Sequence, residues 1–274
     1  MKKTNICIAG NFNLAIDCTN FILKKFKNID LFAVFNSNDD GKDKFQKSFK
    51  RYCKNKKRIN PINIEEAYLI PNLIFISLHF DKIIKIENFK SKKLFNIHFS
   101  LLPKFKGMHT TAWPILNGEK LSGVTLHKID NGIDTGDIIS QIKFKILISD
   151  NAESVFLNYI KFGIILFKKN ILKLLKNNFS SFKQENLDSS YFSKDSINFK
   201  KIDIDLNKSA FEVHNQIRAF IFKHYQLPLV KGYKITNSKI LKSKSKIKPG
   251  KIVSHNGKFL KISTIDYNLL LKIK

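Results

Sequence analysis

The chain has 274 residues, of which 43% are hydrophobic, so it can bury a core of domain size and is not an intrinsically disordered chain. Its formal net charge of +27 at pH 7 would suit a polyanionic partner. Lysine supplies most of this charge along the whole chain, however, which favours a general compositional bias over a dedicated nucleic-acid surface.

Two further features bear on membrane insertion and on metal binding. The apolar run Ile6–Ala9 is too short for a signal peptide, and lysines interrupt the most hydrophobic region, Val155–Leu175. The lysines within Val155–Leu175 predict an amphipathic helix and no membrane span. Cys7, Cys18 and Cys53 lack the spacing of a metal site or of a disulfide framework. We therefore expect free thiols, no bound metal and a cytoplasmic location.

The N-terminal part of the chain alternates apolar strands with helical patterns. Strands are predicted at Thr4–Ala9, Leu31–Phe35 and Leu73–Leu78, a helix at Leu14–Phe26, and the start of a short helix at Asp81–Ile86. The order strand, helix, strand predicts a right-handed crossover and a parallel sheet. The glycine after the first strand is isolated, so the dinucleotide fingerprint Gly-x-Gly-x-x-Gly is absent.

The remaining elements complete an α/β domain and add a β-rich tail. Strands are predicted at Leu94–Phe99, Gly123–Ile129 and Ile138–Ile148, and helices at His109–Leu116, Ala152–Lys176 and Ser209–Phe220. Beyond Gly232, short alternating runs are separated by turn residues, and Asn256-Gly257 predicts a hairpin. The predicted domains are a catalytic domain over residues 1–180, a linker and helix over 181–230, and a small β subdomain over 231–274.

Three polar side chains are predicted to meet beside the strand Leu94–Phe99. Asn96 and His98 lie two residues apart on it, so both leave the same face of the sheet. The glycine-containing loop Asn131–Asp137 can bring Asp134 back beside them. An amide, an imidazole and a carboxylate suit acyl transfer, because they supply an oxyanion donor, a proton carrier and a group that orients the carrier. Each alone has an ordinary structural explanation.

The order and spacing of these residues are more specific than any one of them. Asn-x-His at 96–98 is followed by Ser-Leu-Leu-Pro at 100–103 and by Asp-Thr-Gly at 134–136, and His98 and Asp134 are 36 positions apart. This joint pattern resembles the folate-dependent formyltransferases. The resemblance implies a Rossmann-like, mostly parallel sheet flanked by helices, with a small barrel-like C-terminal β subdomain. It also implies an N-formyltransferase that uses Asn96, His98 and Asp134, with 10-formyltetrahydrofolate as formyl donor and no metal.

The resemblance further implies two sets of binding residues. The folate would contact a strand end and the glycine-containing loop, at Ser77, Leu78, His79, Phe80, Ile83, Asp130, Gly132 and Ile133. The acceptor would contact Lys104, Met108, His109, Thr110, Arg218, Phe222, Tyr225 and Tyr233. Among these, Arg218 or Lys104 would meet a diphosphate, and an aromatic ring would stack on a base. Strand-end and core packing is the alternative interpretation of both sets.

Family branches differ in the amine that they formylate. Glycinamide ribonucleotide transformylases resemble a bare catalytic domain, which this chain exceeds. Methionyl-tRNA formyltransferases have a C-terminal β module, but their usual Arg-Gly-Ala-Ala-Pro is replaced here by Lys-Phe-Lys-Gly-Met-His-Thr at 104–110. The segments Gly107–Pro114 and His214–Phe220 are similar to sugar N-formyltransferases, which act in surface polysaccharide synthesis.

This branch implies a dTDP-linked amino-dideoxyhexose as acceptor. A 4-amino sugar is favoured and a 3-amino sugar is possible, and a homodimer is possible. Methionyl-tRNA formyltransferase remains the alternative enzyme, although nucleic acid is not the expected partner. A noncatalytic, basic nucleic-acid-binding protein is the alternative of another class, and it would leave the Asn–His–Asp set unexplained.

Overall fold

The computed structural model describes residues 3–185 and 187–274. These residues form two compact units. The first unit comprises the chain up to residue 106 together with 123–143 and 159–191, and the second comprises 107–122, 144–158 and 192–274. The predicted boundaries at residues 180 and 230 stay a prediction about catalytic and appended domains.

A seven-stranded sheet forms the larger part of the fold. The first nine strands in chain order are β1 Thr4–Gly10, β2 Ile29–Phe35, β3 Ile59–Pro61, β4 Ile74–Leu78, β5 Lys93–His98, β6 Lys106–Gly107, β7 Leu121–Lys128, β8 Ile138–Lys145 and β9 Tyr191–Phe192. The sheet order is β3-β2-β1-β4-β5-β7-β8. The pairings from β3 to β5 are parallel, and β5 pairs with β7 in the antiparallel sense. The Rossmann-like α/β prediction is thus confirmed.

The helices follow the strands in the expected alternation. They are α1 Phe12–Lys25, α2 Phe49–Lys54, α3 Ile64–Leu69, α4 Trp113–Leu116, α5 Ala152–Leu175 and α6 Ala210–Ala219. The Asn11 side chain caps α1 by accepting from the Phe12 amide, and Ser209 and Glu212 form a capping box on α6. None of the helices within the described residues is long and apolar enough to cross a membrane.

The C-terminal strands form a separate five-stranded sheet. They are β10 Leu229–Val230, β11 Tyr233–Lys244, β12 Ile252–His255, β13 Phe259–Ser263 and β14 Tyr267–Ile273, in the order β10-β11-β14-β13-β12. Neighbouring strands of this sheet pair in the antiparallel sense, and Asn256-Gly257 joins β12 to β13 as predicted. Ile235, Leu260, Leu269 and other apolar residues with no exposed surface bury one face of this sheet against Val213 of α6.

Three local predictions were wrong. The helix expected at His109–Leu116 begins only at Trp113, because His109 has a φ of +59°, outside the helical region. The helix expected from Asp81–Ile86 is a single 3₁₀ turn at Ile86–Asn88. The polar linker contains β9, which pairs with β6. Long-range pairing decides that last feature, and two-residue strands leave no periodic signal.

The three cysteines are free and buried, in agreement with the sequence. Cys7 and Cys18 have no exposed surface, and burial raises the pKa of both thiols. Burial also raises the pKa of Cys53 to about 12. Thiols of this kind carry almost no thiolate at neutral pH, so they serve as small core residues.

Candidate active site

The predicted site lies where two central strands end. β4 and β5 are parallel neighbours in the middle of the sheet, and Ser77 is paired with Asn96 across them. Ligands of open α/β sheets bind beyond the carboxyl ends of such strands. The loop after β7 returns to this point. Asp134, which it carries, has a φ of +56°, a conformation that aspartate tolerates better than most residues.

The loop is fixed by contacts that place the Asp134 carboxylate. The Gln184 side chain donates from Nε2 to the carbonyl oxygens of Asp134 and Gly136, at 2.8 Å each. Gly136 packs so closely on β7 that a Cβ there would lie 1.9 Å from the carbonyl oxygen of Lys128. Only glycine permits this approach, which explains the glycine of the Asp-Thr-Gly segment physically.

The structure brings Asn96, His98 and Asp134 into direct contact. Asn96 Nδ2 donates to Oδ1 of Asp134 at 3.2 Å, and His98 Nδ1 lies 3.3 Å from Oδ2 of the same carboxylate. The His98 and Asp134 side chains are only 8% and 11% exposed. At this burial the interaction between the two groups is only weakly screened by water. The predicted geometry is present, and the catalytic roles stay a prediction.

The hydrogen-bond partners of His98 define where its protons are. Nε2 faces the carbonyl oxygen of Phe105 at 2.8 Å, and a carbonyl only accepts, so Nε2 carries a hydrogen. Nδ1 faces Oδ2 of Asp134 at 3.3 Å, so these two atoms can hold one proton between them. Without that proton, the Nδ1 lone pair and the carboxylate can accept one. With it, they can give it back.

A fourth polar residue lies at the site, His127, which was not predicted from the sequence. It lies directly opposite Asn96 on the antiparallel strands β5 and β7. Its side chain is 3% exposed, and its Nε2 lies 3.1 Å from Asn96 Nδ2 and 3.5 Å from Oδ1 of Asp134. The only sequence signal for it is an imidazole in the strand before the Asp-Thr-Gly loop. The described residues contain no group of three His, Cys, Asp or Glu that could hold a metal ion.

A buried hydrogen-bond network supports the chain after β5. Thr125 Oγ1 donates to the Ser100 carbonyl at 2.7 Å and accepts from the amide of Leu102 and from Nε2 of Gln141. Ser100 Oγ in turn donates to the Lys104 carbonyl at 2.7 Å. The serine and proline of Ser-Leu-Leu-Pro thus shape the turn that ends at Phe105, the partner of His98. Ser100 serves as scaffold and not as a nucleophile.

We expect Thr125→Val to destabilise the protein by about 1–3 kcal/mol, because two donors and one acceptor lose a buried partner while the side-chain shape is kept. Urea unfolding monitored by circular dichroism measures this. Thr236→Val is the matched control, since Thr236 makes one exposed hydrogen bond, to the Lys272 carbonyl. Its expected effect is within about 0.5 kcal/mol. An equal loss of unfolding free energy in the two variants would contradict the stabilising role of the Thr125 network.

Most of the residues predicted to bind folate lie at the end of β4 or directly after it in the chain. His79 has a φ of +61° and is exposed, and its ring lies 5.0 Å from that of Phe12 and 5.5 Å from that of Phe99. Ser77 and Leu78 are buried, Phe80 is half-buried, and Ile83 is 73% exposed. An accessible aromatic and aliphatic surface of this kind fits a flat heterocycle. The folate contacts themselves stay a prediction.

The other predicted folate residues lie on the Asp134 loop. Asp130 accepts from the Gly132 amide at 3.2 Å and from the Thr135 hydroxyl at 2.7 Å, so its side chain braces the turn. Ile133 is 39% exposed. Asp130 and Gly132 therefore have a structural function here, whereas Ile133 presents an accessible apolar side chain.

The residues predicted to bind the acceptor differ in accessibility. Lys104 is half-buried and lies 4.0 Å from the Asp188 carboxylate. In the second unit, Met108 is 48% exposed, and His109 Nε2 lies 2.7 Å from the Lys194 carbonyl oxygen. Thr110, adjacent to His109, is half-buried. None of these contacts prevents ligand binding.

The aromatic candidates of the second unit fall into two groups. Phe222 is 6% exposed and packs against Phe156 and Tyr225, at ring-centroid distances of 5.6 and 4.7 Å. Tyr225 itself is 58% exposed. Tyr233 is half-buried, with its ring 4.9 Å from that of His255. Tyr225 and Tyr233 are therefore better placed to stack on a base than Phe222, which belongs to the core.

Arg218 has a structural role in its unit. It is 4% exposed, and its Nη1 donates to the carbonyls of Leu147 and Asp150 at 3.0 and 2.7 Å. Its Nε donates to Oδ1 of Asn215. Burial lowers the pKa of Arg218 to about 10, so it is charged at neutral pH. The geometry favours this role over the predicted diphosphate contact, which stays untested.

An amide, an imidazole and a carboxylate at the carboxyl ends of a Rossmann-like sheet define an acyl-transfer type of site. Two family models match the chain: formyl transferase over residues 41–164, and the formyl transferase C-terminal domain over residues 197–273. The chain belongs to the formyltransferase family. Asn96, His98 and Asp134 all lie within the first match.

Two similar proteins have solved structures. The N-formyltransferase from Helicobacter canadensis, in complex with folinic acid and dTDP-3-aminofucose, is 46% identical with a TM-score of 0.93, over 98% of this chain and 99% of that chain. WlaRD, a sugar 3N-formyltransferase solved in the presence of dTDP and 5-N-formyl-THF, is 44% identical with a TM-score of 0.92, over 100% and 98%.

A similar curated protein belongs to another branch of the family. The methionyl-tRNA formyltransferase of Clostridium novyi (strain NT) is 34% identical over 173 residues, which are 61% of this chain and 54% of that protein. The chain spans about half or less of the length of the first curated relatives it matches. Similarity over the full length is found with the two solved sugar enzymes.

Proposed function

We propose that the protein transfers a formyl group from 10-formyltetrahydrofolate to the amino group of a dTDP-linked amino-dideoxysugar. The observation that carries this proposal is full-length similarity at 44–46% identity to two sugar N-formyltransferases, combined with the Asn96–His98–Asp134 geometry. A formylated folate was bound in both of those structures. The exposed side chains of His79 and Ile83 and the half-buried rings of Phe12 and Phe80 fit the same kind of cofactor here.

The residues of the site match the needs of this reaction. The folate supplies the formyl carbon. The acceptor nitrogen must lose a proton as it bonds to that carbon, and the His98–Asp134 pair can hold this proton and return it to the departing nitrogen of the donor. The Asn96 amide is placed to donate to the oxygen that gains negative charge, an interaction usually worth a few kcal/mol. No covalent nucleophile is required, in keeping with the structural use of Ser100.

We further propose that the acceptor amine is at the 3-position of the sugar. The two similar enzymes at 44–46% identity are a 3N-formyltransferase and an enzyme solved with dTDP-3-aminofucose. The 4-amino sugar favoured from the sequence becomes the alternative, since a 4-N-formyltransferase from Francisella tularensis is 23% identical and shows only the fold. A homodimer remains a prediction.

The C-terminal sheet is the feature that most favours the tRNA alternative. Residues 231–274 contain twelve lysines and one carboxylate side chain, Asp266, and eleven of the lysines are exposed. The even spread of lysine expected from the sequence was therefore wrong for this segment. Its charge suits a polyanion, but the same segment aligns along its whole length with the two sugar enzymes.

Initial rates with three acceptors test the proposal. The purified protein is given 10-formyltetrahydrofolate and a dTDP-linked 3-amino-dideoxyhexose, its 4-amino isomer or charged initiator methionyl-tRNA. We expect kcat/KM for the 3-amino sugar to exceed that for the 4-amino isomer by at least about 10-fold, because the amine must meet His98 and Asp134 within hydrogen-bond distance. Preference for the 4-amino sugar would refute the assignment of the amine to the 3-position. Formylation of tRNA alone would refute the assignment of a dTDP-linked sugar as acceptor.

A further inference from the structure

We infer that His127 is a positioning residue, which holds the Asn96 amide in one orientation throughout the reaction. The inferred position of the Asn96 amide rests on the geometry of the site. The expected effect on kcat also rests on the proposed function. His127 is 2% exposed, so it offers almost no surface to a substrate. Its role would therefore be exerted through Asn96, whose side chain it meets across β5 and β7.

The neighbours of His127 fix its tautomer. Nδ1 lies 2.7 Å from the carbonyl oxygen of Lys128, which can only accept, so Nδ1 carries the hydrogen. In the neutral ring Nε2 is then an acceptor, and it lies 3.1 Å from Asn96 Nδ2. The close approach of Gly136 to the same carbonyl keeps Lys128 in place. The strand and the loop together thus present a lone pair to Asn96.

Two acceptors converge on one amide nitrogen. Nε2 of His127 and Oδ1 of Asp134 lie 3.1 and 3.2 Å from Asn96 Nδ2, and 3.5 Å from each other. The two acceptors are close enough together to share one N–H of the amide, which leaves the second N–H for the oxygen that gains negative charge. Because both groups accept, the NH₂ group of Asn96 must face them, and Oδ1 of Asn96 must point away from them. An amide rotated by half a turn would set an oxygen against two acceptors, which costs the hydrogen bonds and adds repulsion.

The two acceptors differ in what happens to them during catalysis. Oδ2 of Asp134 faces His98 Nδ1, so a proton taken from the acceptor comes to lie beside this carboxylate and weakens its hold on Asn96. His127 is held at Nδ1 by the Lys128 carbonyl and does not face His98 Nδ1, so its hydrogen bond to Asn96 is unchanged by that step. It therefore keeps Asn96 oriented when Asp134 cannot, which is a physical reason for a second acceptor at this place.

Three substitutions separate this role from simple packing. His127→Leu fills the space but removes both ring nitrogens. His127→Gln also loses the Lys128 bond, yet its carbonyl oxygen can replace Nε2 as acceptor for Asn96. His127→Asn does the reverse, because it can keep the donor to Lys128 and cannot reach Asn96. All three are compared with wild type by thermal unfolding, folate binding, and kcat and KM with the dTDP-linked 3-amino sugar.

We expect His127→Leu and His127→Asn to lower kcat by about 10- to 100-fold, with KM changed less than about 3-fold, because a misoriented group near the reacting atoms costs rate and not binding. His127→Gln should recover most of the rate although it is no more stable than His127→Leu. Rates that follow thermal stability across the three variants, or a Gln variant as slow as the Leu variant, would overturn the inference.

A spectroscopic measurement tests the geometry even if the acceptor is not a sugar. Nitrogen-15 spectra of the histidine rings distinguish the two neutral tautomers and the cation, and the His127→Gln spectrum assigns the His127 signals. At pH 7.5 we expect a protonated Nδ1 and a bare Nε2 for His127. A protonated Nε2 would overturn the inference, because Nε2 would then face the Asn96 amide as a second donor. Inactive wild type with the expected tautomer would refute the acceptor and not the role of His127.

Discussion

His98→Gln is expected to lower kcat by about 10²- to 10⁴-fold, the range usually contributed by a positioned acid–base group. Glutamine can still donate to the Phe105 carbonyl as Nε2 of His98 does, so the turn after β5 is retained. It offers no titratable group beside Asp134, and the shared proton is lost. Steady-state kinetics at saturating 10-formyltetrahydrofolate, together with folate binding, measures the change.

The control for this variant is Lys57→Gln, at an exposed lysine between α2 and β3. It should leave kcat within about 2-fold of wild type, as surface substitutions away from the site usually do. A His98→Gln protein that binds folate and retains wild-type kcat would remove the imidazole from the mechanism. The Asn96–Asp134 pair would then have to account for the proton alone.

Asp134→Asn is expected to lower kcat by about 10³-fold or more, because an amide cannot share a proton with the imidazole or stabilise its charged form. Asparagine tolerates the positive φ of this position, so the loop should keep its conformation. The change also places an NH₂ group near His98 Nδ1 or Asn96 Nδ2, which removes one of the present contacts. The measurement is kcat over a pH range of about 6 to 9, the range in which imidazole titrates.

Asp188→Asn is the matched control for Asp134→Asn. Asp188 also has a positive φ, of +63°, and its carboxylate is 71% exposed at 4.0 Å from Lys104, so it contributes little to stability. We expect near wild-type kcat for this variant. If both substitutions reduced kcat equally, loss of negative charge in general would explain the effect, and the particular position of Asp134 would not.

The three catalytic candidates could be predicted because local rules place them. The two-residue period of a strand sets Asn96 and His98 on one face, and the glycine-containing loop at a fixed distance along the chain brings Asp134 back. The C-terminal hairpin followed from Asn256-Gly257 in the same way. These features depend on a few consecutive residues, so the sequence contains them.

The features that were missed depend on pairing between distant segments. His127 joins the site because β7 pairs with β5 in the antiparallel sense and in the register that sets it opposite Asn96. No local pattern encodes that register. The diphosphate contact implied for Arg218 by the family resemblance stays a prediction, but the hydrogen bonds of its guanidinium to backbone carbonyls were not foreseen. Burial of a guanidinium cannot be read from sequence spacing.

Transfer of a labelled formyl group tests the central claim most directly. The protein is incubated with 10-[¹³C]formyltetrahydrofolate and the dTDP-linked 3-amino-dideoxyhexose, and the products are identified by mass spectrometry and carbon NMR, with His98→Gln in parallel. We predict that wild type places the label on the sugar nitrogen at carbon 3, and that the variant does so at least about 100-fold more slowly. Label released only as formate, or product formed equally fast by the variant, would contradict the account.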